Sequence, residues 1–170
     1  MTWTRRLARW RVTAGFLCGA LALWLARPTW LSLALGALVA LAGEGLRVWA
    51  AGHLEKSREV TASGPYRLVR HPLYLGSSLL GVGFAIAAAH LGVAILALLY
   101  LGLTIPAAMR AEEAHLREKF GDAYDAYARR THVPVARAFS WQRALANREH
   151  HTMGGVLAAL GILAVKLCIA

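Results

Sequence analysis

The sequence predicts an all-α, polytopic membrane bundle of about five transmembrane helices, and three observations carry that prediction. The first is composition. Of the 170 residues, 58% are hydrophobic types and 16% are charged, with a mean hydropathy of +0.46. An ordinary soluble domain holds about 45–50% apolar and about 25% charged residues. The second is segmentation. Five apolar stretches, Val12–Ala26, Trp30–Ala51, Leu73–Ala89, Leu91–Met109 and Met153–Ile169, approach the roughly 20 residues a helix needs to cross a bilayer. The third is where positive charge falls. Seventeen of the 19 Lys and Arg residues lie on one side of a five-span arrangement: four before the first stretch, five at or after the end of the second, and eight between the fourth and fifth. That asymmetry is the positive-inside pattern, and it predicts an integral membrane protein with a cytoplasmic N-terminus and the C-terminus outside.

A net charge of +10 is also what a nucleic-acid binder carries. Here the charges punctuate apolar spans instead of covering one soluble face, so no nucleic-acid partner is expected. The length fits one domain, residues 1–170. Cys18 and Cys168 both sit in apolar runs and form neither a disulfide framework nor a metal-ligand spacing.

The first stretch follows Arg5, Arg6, Arg9 and Arg11, as a signal peptide would. The succeeding Arg27-Pro28-Thr29-Trp30 lacks the small-residue cleavage pattern, so the stretch reads as a retained span. Gly15 and Gly19 read as small residues of a tightly packed bundle. In the second stretch Glu44 and Arg47, three apart, can pair on one helix face at interfacial depth.

The polar segment from Gly52 to His71 ends in Ser63-Gly64-Pro65-Tyr66-Arg67-Leu68-Val69-Arg70-His71-Pro72-Leu73-Tyr74-Leu75-Gly76. Ser-Gly-Pro is a turn signal. His71 is biased toward extended backbone by the following proline, and Pro72 suits the first position of a helix. The third span therefore starts at Pro72, with the free N–H groups of its first turn beside Arg70 and His71, an arrangement that favours an anion. Gly76 removes bulk one turn in.

The second polar segment runs from Arg110 to Thr152. Its Leu116, Phe120, Tyr124 and Tyr127 recur at four, four and three residues, the apolar stripe of a helix that continues the fourth span out of the membrane. Glu113 and Arg117 are ordered for an i,i+4 pair. Adjacent Glu112 and Glu113 point about 100° apart on a helix, so one can hold a cation while the other braces the bundle. His53, His115, His132, His150 and His151 show no metal-ligand spacing; they read as interfacial or solvated, and no metal is expected. Phe139, Trp141 and Leu145, beside Arg137, Arg143 and Arg148, predict a short helix on the cytoplasmic surface.

Taken in order, Ser63-Gly64-Pro65-Tyr66, Arg70-His71-Pro72-Leu73-Tyr74-Leu75-Gly76, and Glu112-Glu113 followed by Leu116, Phe120-Gly121, Tyr124, Tyr127 and Val133-Pro134 resemble the integral-membrane methyltransferases. That family includes the isoprenylcysteine carboxyl methyltransferases and the phospholipid N-methyltransferases. The resemblance covers about Gly43 to Pro134, and Met153–Ile169 stands as an extra C-terminal span. Each motif is weak alone, and their order makes them specific. The resemblance implies S-adenosylmethionine as methyl donor, a cofactor pocket at the cytoplasmic face, and a lipophilic small molecule or lipid as acceptor, through a carboxylate, amine or thiol. It places cofactor contacts on Val60 and Thr61 in the segment before the turn, on Tyr66, on His71, Pro72, Leu73 and Tyr74, and on Glu112 and Glu113.

The chemistry of those residues agrees. The helix start with His71 suits the cofactor's carboxylate, a glutamate suits its ammonium, and Tyr66 and Tyr74 offer faces for adenine or for the sulfonium. The isoprenylcysteine enzymes carry an arginine four residues before the first glutamate. Here Ala108 stands at that position and the nearest arginine is Arg110, which argues against a prenylcysteine carboxylate as acceptor. No catalytic base is assigned; Glu113 and His53 are the groups that could take a proton from an amine or thiol. Two alternatives remain open at this point. One is an NADPH-dependent reductase resembling the membrane steroid reductases, with Arg67 and Arg70 for the 2′-phosphate. The other is a non-catalytic membrane scaffold.

Overall fold

The computed structural model describes residues 3–56, 58–131 and 136–169, with side chains from residue 13 onward. His132, Val133 and Pro134, which the sequence singles out, lie outside the described residues. Among those described, every regular element is helical: α1 (Trp3–Leu25), α2 (Trp30–His53), a 3-10 turn (Gly64–Arg67), α3 (Pro72–Ala88), α4 (Leu91–Phe120), α5 (Asp122–Ala128), α6 (Trp141–Ala146) and α7 (Glu149–Ile169). Each of the five apolar stretches falls on one helix to within a residue. Three of these helices, α2, α4 and α7, are long and apolar enough to cross a membrane; Thr13–Leu25 and Pro72–Ala88 are shorter apolar helices. Large apolar side chains such as Phe16, Trp24, Leu38, Leu98, Leu103 and Leu157 face outward. Helices that are apolar outside as well as inside are what a lipid solvent selects.

Local chemistry sets the helix ends. Thr29 and Ser32 form a reciprocal capping box at the start of α2: Ser32 N–H donates to Thr29 Oγ1 at 3.1 Å and Thr29 N–H to Ser32 Oγ at 2.9 Å. At the same end of the bundle, Lys166 from α7 donates to the Leu23 and Trp24 carbonyls at 3.1 and 2.6 Å. Those carbonyls are orphans at the C-terminus of α1, where a cation is favourable.

The most extensive helix pair is α2 with α3, and small residues make it. A Cβ on Gly83 would sit 2.5 Å from Ala40 N and 2.7 Å from Gly36 O, and one on Gly76 would sit 2.7 Å from Gly43 O. In lipid, close packing of this kind replaces the hydrophobic drive as the cause of helix association. It presses the N-terminal part of α3 against the C-terminal half of α2. Gly15 accommodates Tyr100 of α4, whose hydroxyl lies 2.7 Å from where a Cβ would be, whereas Gly19 faces open space.

The fourth span does not continue through Tyr127 as one helix. It ends at Phe120, and Gly121 (φ 49°, ψ −125°) turns the chain into α5. A left-handed φ with extended ψ is open to glycine and costly for a residue with a Cβ. The turn brings Tyr124 and Tyr127 back onto Ala62, Val60, Leu116 and Phe120 in a small buried cluster. The apolar stripe is real, but two helices share it. Gly121→Ala is expected to cost about 1–3 kcal/mol, the usual range for such backbone strain. Thermal unfolding in detergent checks this, and an unchanged midpoint would show that the break tolerates a side chain.

Candidate functional site

A cavity of about 450 Å³ opens where the C-terminal end of α2, the linker after it, the 3-10 turn, the start of α3, the extension of α4 and α5 converge. Its size is that of a small-molecule site. Val60, Thr61, Tyr66, His71, Pro72, Leu73, Tyr74 and Glu112 all line it; Glu113 does not.

The division between the two glutamates follows from helix geometry. Glu113 lies behind the wall, with Oε1 2.9 Å from His71 Nε2 and 3.8 Å from Arg70 Nη1, and Oε2 3.8 Å from Arg117 Nη1. It braces the start of α3. Glu112, turned about 100° away, faces the cavity and makes no hydrogen bond or ion pair among the described residues. The sequence assigned His71 to a ligand carboxylate; one of its ring nitrogens is already held by Glu113. His71 itself (φ −130°, ψ 63°) stands outside the helical region and makes no side-chain cap, so the first turn of α3 keeps its N–H groups open toward the cavity.

Aromatic residues form much of the remaining wall. Tyr66, Tyr74, Tyr124 and Tyr127 all line it. Tyr127 Oη donates to the Tyr66 carbonyl at 3.0 Å. Tyr124 is 1% exposed, and its buried hydroxyl has no hydrogen-bond partner among the described residues. Burial, and then the neighbouring Tyr124, push the Tyr127 phenol from 10.0 up to about 12. Burial, and then Glu112, push Tyr66 up further still. A raised folded-state pKa means stability that is complete below the unfolded value of 10.0 and is lost as pH climbs toward about 12. In an alkaline titration, tyrosinate absorbance from these two phenols should appear together with loss of helix, above pH 10.0. Ionisation near the ordinary value with the helices intact would contradict their burial.

Several lining residues carried no motif in the sequence. Glu55 and Glu59 in the linker face the cavity, and each is tied to a cation from the C-terminal region: Glu59 to Arg137 at 2.6 Å and Glu55 to Arg143 at 3.7 Å. Their spacing of four was the only available signal. Arg143 also donates to the Gly52 carbonyl at 2.8 Å, so the short helix α6 is fastened beneath α2. His53 is not solvated, contrary to expectation. It is 5% exposed, its Nδ1 lies 3.2 Å from Ser63 Oγ, and Gly64 covers its ring, where a Cβ would come within 2.5 Å. It does not line the cavity. Among the described residues no group of three His, Cys, Asp or Glu side chains is placed to hold a metal ion.

A family model of phospholipid methyltransferases matches residues 10–123. The chain belongs to the phospholipid methyltransferase family. The match starts well before Gly43 and stops inside α5, so α6 and α7 of this phospholipid methyltransferase family member lie beyond it. Two curated relatives align with the chain. The cobalt-zinc-cadmium resistance protein CzcN of Cupriavidus metallidurans is 38% identical over 135 residues, covering 74% of this chain and 61% of the relative. The nickel-cobalt-cadmium resistance protein NccN of Alcaligenes xylosoxydans xylosoxydans is 33% identical over 136 residues, covering 74% and 62%. The chain thus spans about three fifths of the length of the curated relatives it matches. No solved structure matches it.

Proposed function

We propose that the chain, working as one unit over residues 1–170, transfers a methyl group from S-adenosylmethionine to a lipophilic acceptor at the cytoplasmic face of the membrane. One observation carries this reading: an unpaired carboxylate, several aromatic faces and the open first turn of a helix share one cavity. S-adenosylmethionine supplies an electrophilic methyl on a sulfonium, with a neutral thioether as leaving group. The chain's own part is binding, orientation and exclusion of water.

Glu112 fits the ammonium as an ionic partner. The N–H groups of Leu73 and Tyr74, which precede any intrahelical acceptor, fit the carboxylate. Tyr66 and Tyr74 fit the adenine and the sulfonium as aromatic faces. Tyr74 and Ser77 of α3 and Glu112 and His115 of α4 all line the wall. An acceptor that dissolves in the bilayer can approach between these two apolar helices. The cytoplasmic placement rests on the positive-inside distribution of arginines and lysines around this end of the bundle.

Titration calorimetry of the detergent-purified chain tests the reading. Saturable binding of S-adenosylmethionine and S-adenosylhomocysteine supports it. Binding of NADPH alone transfers the site to a reductase, and binding of none of the three leaves a scaffold. The names of the relatives add a physiological arm: growth of a strain lacking this chain in the presence of cobalt, zinc or cadmium, with and without a catalytically silent variant restored.

A further inference from the structure

Arg47 stands in the cavity wall, and its guanidinium is held from behind. Nε and Nη2 lie 2.7 and 3.2 Å from the two carboxylate oxygens of Glu149, Nη2 lies 3.3 Å from Thr152 Oγ1, and Nη1 lies 2.6 Å from Ser77 Oγ. Glu149 is 5% exposed, so solvent screens this bidentate pair weakly. Glu149 and Thr152 belong to α7, outside the residues matched to the family. The C-terminal helix therefore acts on the cavity without lining it. Glu44, 3.8 Å from Arg47 Nε, adds a second carboxylate on the same side.

Arg70, the other arginine of the wall, is half-exposed and 3.8 Å from Glu113, so that carboxylate and water together offset it. Lys56, the third cation, is exposed in the linker, where water screens it. Of the carboxylates in the wall, Glu55 and Glu59 are paired and Glu112 is not. The cations are offset, and a negative charge is left facing the cavity.

We infer that Glu149 is a specificity-determining residue. By offsetting the Arg47 charge, it makes the wall favour a ligand that bears a positive centre over the same ligand without one. The inference rests on the reading of this cavity as an S-adenosylmethionine site, because S-adenosylmethionine and S-adenosylhomocysteine differ by the sulfonium methyl and its charge. Removing one unit of negative charge from behind the cavity wall lowers the affinity for a cationic ligand on the order of fivefold relative to a neutral one.

The test is calorimetric titration of the full-length chain with both ligands, in the parent, Glu149→Gln, Arg47→Met and the double variant. Glu149→Gln is expected to lower the ratio of S-adenosylmethionine to S-adenosylhomocysteine affinity about fivefold. Arg47→Met should raise it, and the double variant should return close to the parent. A pair that only held helices together would weaken both ligands alike and leave the ratio in place. A ratio within twofold of the parent in Glu149→Gln, or shifts of the same sign in both single variants, overturns the inference. Should one single variant fail to fold, the other still reads the sign. A parent that binds neither ligand overturns the functional reading and this inference with it; a parent that binds both, with an unmoved ratio in the variants, overturns the inference alone.

Discussion

Replacing Glu112 by alanine is expected to weaken S-adenosylmethionine binding by at least about tenfold while leaving the unfolding temperature within experimental scatter. Glu112 makes no hydrogen bond or ion pair among the described residues, so its removal breaks nothing in the fold. It also faces the cavity as a carboxylate without a cation, and a hydrogen-bonded charge pair with a ligand ammonium contributes about 1.5–3 kcal/mol, which is about 10- to 100-fold in affinity. Glu112 is open to solvent, and that favours the lower end.

Glu113→Ala should behave in the opposite way. Glu113 holds His71 at 2.9 Å and stands near Arg70 and Arg117, so its loss should lower the unfolding temperature and loosen the start of α3. Glu118→Ala, on the exposed side of α4, should do neither. Equal affinity in the parent and in Glu112→Ala would remove the central claim about this cavity.

Gly83→Val is expected to prevent recovery of folded protein, and Gly83→Ala to destabilise it by about 2–3 kcal/mol or more, the upper part of the range for overpacking. The atoms a new Cβ would meet are Ala40 N at 2.5 Å and Gly36 O at 2.7 Å. Both belong to the backbone of α2, so no rotamer change relieves the clash and the two helices must separate. The same separation would pull the N-terminal part of α3 from Arg47, whose Nη1 bonds Ser77 Oγ at 2.6 Å. Binding and stability should therefore fall together, in contrast to Glu112→Ala. Size-exclusion profiles and thermal melts in detergent read the effect. Gly19→Ala, with open space around it, is the control and should be neutral. A Gly83→Ala protein as stable as the parent would mean that the close α2–α3 approach is not needed.

The helical class, the apolar segments and the turn into α3 at Pro72 were all legible in the sequence. Each reflects a property that acts residue by residue: a bilayer selects apolar side chains, charge asymmetry orients spans, and proline suits a first helical turn. Helix geometry made it legible that Glu112 and Glu113 could not face the same way, but not which of them would face the cavity; the resemblance put both on the cofactor, and only Glu112 lines the cavity. What could not be read were the partners. Arg47 was assigned to Glu44 because they are three residues apart; its shorter contact is with Glu149, 102 positions away. His53 looked solvated beside a polar linker, and the turn at Gly64 folds over it.

Gly121 stood inside a stripe with unbroken helical spacing, and only its backbone conformation shows that the helix ends there. That break is what returns Tyr124 and Tyr127 to the cavity wall. By itself, the sequence determined which segments are apolar enough for the membrane and which short motifs stand at their ends, since solvent preference and local backbone geometry are encoded position by position. Tertiary structure alone decided which charges neutralise one another and which is left facing the cavity. That outcome depends on distances between helices remote in sequence, set by how closely their small residues let them pack.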